Sequence, residues 1–163
     1  MYRKIICSLA LLITSTTIFG TATPAFALTA SQIVEREVIV RNDDGTQTVT
    51  REAADKVTPG DKVIYSLNYY NDDATPAENI VLVMPIPAEV KYMDGSADAV
   101  DTDTTYSVDG GKSFAGRDDL RVAQVDGNKR AARAEDITHI RWIVGTTIAP
   151  QTGGTLSFSG RLQ

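Results

Sequence analysis

Cysteine is all but missing from this chain. The one cysteine, Cys7, lies among the first ten residues, so the remainder has nothing to close a disulfide with. Histidine is equally scarce, and His139 stands alone. A zinc centre takes three or four His, Cys or carboxylate ligands, and no such cluster is visible around it. Excess positive charge is also absent. The formal charge is −5, and an acidic surface repels phosphate, which argues against nucleic acid as a partner. No apolar run approaches the roughly 20 residues that carry a helix across a bilayer. The best candidate, residues 5–13, is far shorter and passes into Thr- and Ser-containing sequence.

What the N-terminus does contain reads as an address. Arg3 and Lys4 precede the apolar run, Pro24 follows it, and Ala25-Phe26-Ala27 has the A-x-A form that signal peptidase cuts. Cys7 sits inside the run and not at a lipobox. A signal peptide over residues 1–27 is therefore expected, with export to the periplasm, the cell surface or the medium. Losing Arg3 and Lys4 would make the mature chain more acidic by two charges than the whole. A domain exported without disulfides rests on its core or on bound ions.

The remaining chain alternates short β-prone runs with turn residues. Residues 33–41 and 46–52 flank Asn42-Asp43-Asp44-Gly45, a hairpin signal, because Gly accepts the positive φ of such turns. This predicts an N-terminal β-hairpin extension within residues 28–56, followed by a domain over 57–163. Pro59-Gly60 marks the turn between them. In residues 62–70, Val63, Tyr65, Leu67 and Tyr69 alternate with Lys62, Ser66 and Asn68, and only Ile64 interrupts the polar set. Further strands are expected at 79–84, 90–93, 104–108, 112–115, 120–125, 137–144 and 155–162. In 137–144, Ile140, Trp142 and Val144 share a face, and Trp142 is the natural centre of a core. Residues 127–136 predict a helical turn or two without an apolar stripe. Short strands recurring at this spacing predict an all-β fold, an antiparallel β-sandwich or barrel.

From Val57 onward the chain resembles the bacterial repeat domain catalogued as domain of unknown function eleven. The resemblance rests on V-T-P-G-D-K-V-I-Y-S-L-N-Y-Y-N at 57–71 and on A-E-N-I-V-L-V-M-P-I-P-A at 77–88. It closes on Trp142-Ile143-Val144-Gly145, leading through Pro150 to Gly153-Gly154-Thr155-Leu156. Met84 stands where many members carry Asp, a departure typical of a variant group with the P-I-P form. The likeness implies a single copy of an immunoglobulin-like sandwich, a structural or adhesive module of secreted and surface proteins. It departs from the family in an inserted region, residues 94–133, and in showing no C-terminal sorting motif or anchoring helix. The partner implied is an envelope or surface protein whose identity the sequence does not give.

Several stretches carry possible chemistry. Tyr106-Ser-Val-Asp-Gly-Gly-Lys-Ser-Phe114 fits S-x-D-x-G-x-x-[WF], the Asp-box of sialidase-type propellers. That motif is a structural turn repeated once per blade, so one copy predicts a hairpin tip around Asp109 with Phe114 packed beneath it. Asp94, Asp98, Asp101 and Asp103 form an acidic run. Loop carboxylates at such spacing can converge on a hard cation, so these four are the candidate calcium ligands, although the run is not an EF-hand. No other cofactor and no catalytic residue is indicated. Residues 153–160 lack the G-x-S-x-G arrangement, and residues 155–163 lack the Asn or Asp of a terminal Lys–Asn isopeptide link. Tyr70, opposite Tyr69 by alternation, is the aromatic placed to contact a ligand. The leading expectation is a non-enzymatic interaction module. A calcium-dependent binding module using residues 94–103 comes next, then a small hydrolase without a recognisable site.

Overall fold

The protein is described here by a computed structural model covering residues 28–97 and 99–163. The expected signal peptide and Asp98 lie outside the described residues. Among the described residues ten strands carry the fold: β1 Leu28–Arg41, β2 Gln47–Ala53, β3 Lys62–Asn71, β4 Val81–Pro85, β5 Val90–Tyr92, β6 Thr102–Ser107, β7 Arg121–Ala123, β8 Lys129–Ala131, β9 His139–Val144 and β10 Gly153–Leu162. They form a five-stranded sheet in the order β2-β1-β3-β10-β5 and a three-stranded sheet in the order β4-β9-β6, with β7 and β8 as a separate ribbon. Every pairing is antiparallel. Among the described residues, no helix is long and apolar enough to cross a membrane.

The two larger sheets enclose one main core, as the alternation in β3, β9 and β10 requires. Val63, Tyr65, Leu67, Leu156 and Phe158 from the larger sheet meet Met84, Tyr106, Ile140 and Trp142 from the smaller one. Tyr65 stacks on Phe158 with centroids 5.0 Å apart. Tyr92 on β5 donates or accepts a 3.2 Å bond with Tyr106 on β6, joining the sheets through the core. Trp142 is fully buried, and its indole N–H donates to the Ala97 carbonyl at 2.8 Å. An indole left unpaired there would cost heavily, so this bond ties the inserted region to the core. That region also supplies buried Leu120 and Ala132.

Two expectations are corrected in detail. Residues 127–136 are not one helical segment. Lys129–Ala131 forms β8 against β7, and only Ala134–Asp136 winds into a 3₁₀ turn, held by Arg130 on Asp136. Residues 112–115 give a single bridge, Ala115 to Tyr106, and not a strand. Ile64 lies opposite the core, in register with Glu35 and Ser159, yet is only 2 % exposed.

Candidate interaction site

The Asp-box stretch is a turn built around one carboxylate. Asp109 Oδ1 accepts from the backbone N–H groups of Lys112 and Ser113 and from the Ser107 hydroxyl, and Oδ2 accepts from the Ser113 hydroxyl. These donors, the Ser113 hydroxyl foremost, hold the Asp109 pKa far below the usual carboxylate range. Gly110 and Gly111 follow at φ 76° and 82°, a left-handed pair that side chains resist. Both oxygens of Asp109 thus serve the loop. Phe114 lies partly exposed, with the Arg141 guanidinium 4.4 Å from its ring centroid. His139 occupies the middle strand of its sheet, on the face opposite Ile140, bonded to Thr138 at 3.1 Å.

The three described members of the acidic run, Asp94, Asp101 and Asp103, have separate places. Asp94 forms a two-pronged ion pair with Arg117, at 2.7 and 3.1 Å. Arg117 also donates to the Ala132 carbonyl, so the pair clamps the inserted region. Asp101 turns with φ 58° and its carbonyl accepts from Gly145 N–H. Asp103 lies on β6 opposite Ile143. Asp101 and Asp103 border an open depression of about 520 Å³ with Thr102, Gly145 and Thr146. Among the described residues, no three His, Cys, Asp or Glu side chains gather in a way that would hold a metal.

Tyr70 is placed as alternation predicts, 39 % exposed on the outer face of the larger sheet. With Thr29, Ser31, Asn68 and Thr155 it lines a trough of about 430 Å³ across β1, β3 and β10. Its hydroxyl lies 3.3 Å from Gln151 Oε1, and Thr155 donates to Asn68 at 2.6 Å. A methyl at Gly153 would sit 2.0 Å from the Tyr69 carbonyl, so the strand passes here only as glycine. The trough is thus a built surface whose polar groups bond chiefly to one another.

Among the described residues the outer edge of the N-terminal ribbon has no strand beside it, a form that sequence reasoning missed. Residues 28–36 of β1 pair with β3, which covers that edge and makes the start of the ribbon part of the sheet. Residues 35–41 pair instead with β2 on the opposite side. Beyond Arg36, β1 therefore runs past the end of β3, and the two strands project as an arm. All seven residues of β2 are exposed. Ile39 and Val49, cross-strand partners, are 64 % and 58 % exposed. Asp44 caps the tip by accepting from the Thr46 N–H and hydroxyl, which lowers its pKa.

No family model, curated protein or solved structure matches the chain. The residues of the stated resemblance still have definite places. Asp61 accepts from Thr58 N–H to close the V-T-P-G-D turn. Asn71, at the end of the first motif, is buried and donates to the Thr75 and Ile148 carbonyls, joining two loops.

Proposed function

We propose that this chain is an exported, non-enzymatic β-sandwich module that acts through strand-mediated association in the cell envelope or outside the cell. The observation that carries this reading is the projecting β1–β2 arm. An unpaired strand offers a row of N–H and C=O groups to another strand, and natural edges usually carry a protecting Lys, Pro or bulge. β2 reads Q-T-V-T-R-E-A and has neither Lys nor Pro. The arm's exposed Ile39, Val40 and Val49 have no role in the core.

The test is a crosslinked pull-down of the tagged protein from its own cells, with envelope, periplasm and medium kept separate. Wild type is compared with Val49→Pro. Residue 49 directs its N–H away from β1, so proline there removes an outward donor without breaking the hairpin ladder. Partners captured by wild type and lost from the variant are expected. Equal capture by both, or none by either, rejects the arm as the working surface. N-terminal sequencing of the recovered protein checks export, with Leu28 as the expected first residue.

A further inference from the structure

Resting on that reading, we infer that the arm's partner is a second copy of this chain. The two β2 strands pair antiparallel about a two-fold axis at Val49. The hydrogen-bond phase of the hairpin limits the choices. Asn42 N–H bonds Thr46 O, and Ala54 N–H bonds Val34 O. In an antiparallel ladder bonded pairs alternate, so residues 48, 50 and 52 direct their backbone groups to β1. Residues 47, 49, 51 and 53 direct theirs to the free edge.

A two-fold axis through the edge passes a residue of β2; at Gln47, Thr48, Glu52 or Ala53 it leaves two bonded pairs or fewer within the strand, and among the remaining three the side chains select. An axis at Arg51 opposes two arginines. An axis at Thr50 sets each Val49 against the partner copy's arginine. An axis at Val49 gives Val49 against Val49 and Arg51 against Gln47. Across the resulting four strands one row reads Ile39, Val49, Val49, Ile39, because Ile39 is Val49's partner within each copy. The flanking rows read Arg41, Gln47, Arg51, Glu37, where Arg51 and Glu37 are register partners inside one copy. No like charges are directly opposed between copies. The pairing adds about six backbone hydrogen bonds and turns two exposed apolar pairs into one four-residue row. The free edge at β4 fits less well, since it is short and ends at Pro85, which has no N–H to give.

Single-cysteine variants in a Cys7→Ser background test the register, with sedimentation of the unmodified chain testing the state. The expected mass is that of two chains at high concentration, falling to one on dilution. Under mild oxidant V49C dimers crosslink. Q47C and R51C fail singly, yet join when mixed, because 47 faces 51 across the axis. Val49→Pro returns the mass to one chain. Val49→Arg, which keeps a flexible surface side chain and sets two arginines together, does the same. A monomer at every concentration overturns the inference, as does crosslinking by T50C or R51C in place of V49C. If the wild type is monomeric and the pull-down still recovers another protein that Val49→Pro loses, self-pairing fails and strand-mediated association stands. If both fail, the arm is no interaction surface.

Discussion

At the scale of single residues, polar side chains set the loops more than any apolar contact does. Asp109 collects four donors, Asn71 bridges two loops from a buried position, and Asp136 receives Arg130 in a paired geometry. Asp136 also accepts from the Arg133 N–H, and the Arg130 guanidinium is the main reason that its pKa falls from 3.8 to about 2. A depressed carboxylate stabilises the fold when ionised. Its contribution is complete above the unfolded pKa and disappears as pH falls through the folded one. Asp136→Asn should therefore cost about 1 kcal/mol near neutrality, the scale of a partly exposed ion pair. The gap between variant and wild type should close between about pH 4 and pH 2. Guanidinium unfolding at stepped pH checks this, and a gap that persists below pH 2 would assign the loss to shape and not charge.

At the scale of elements, the arm and the sandwich differ in what holds them. β3, β9 and β10 each turn a row of side chains into the core, whereas β2 turns none. A two-stranded ribbon alone is marginal in water. The arm persists through its turn, its Arg36–Glu52 ion pair and its continuity with β1. The double variant Ile39→Ser, Val49→Ser should change the monomer's stability by less than about 0.5 kcal/mol, as exposed substitutions do. Amide exchange should show residues 38–50 opening far more readily than β9 or β10. Slow exchange along β2 at high protein concentration, lost on dilution, would be the signature of strand pairing between copies. The hairpin at 33–52 was legible from Asp44-Gly45, but its projection was not. That depends on β3 beginning at Lys62, opposite the middle of β1.

At the scale of the whole molecule, the inserted region is built into the main core. Tyr106, Leu120 and Ala132 belong to the main core, and Ala97 accepts the Trp142 indole bond. Heating should accordingly give a single transition, with calorimetric and van't Hoff enthalpies in agreement. A separate early transition would place residues 94–133 outside the core unit. The described members of the acidic run are placed by contacts distant in sequence, which spacing does not record. Asp94 is drawn to Arg117, 23 residues on, by the chain's path across the sandwich, and Asp103 is fixed by pairing with β9.

The sequence by itself determined the all-β character, the burial of alternate residues on β3, β9 and β10, the central place of Trp142 and the structural use of the Asp-box turn. These follow from local rules: a period of two, turn residues that accept positive φ, and a carboxylate within reach of its own backbone. Tertiary structure decided the rest. Sheet order, the Arg117–Asp94 clamp, the strand at residues 129–131 and the arm's free edge depend on which distant segments lie side by side. Local propensity carries no record of that, because pairing partners are chosen by the burial of the whole core.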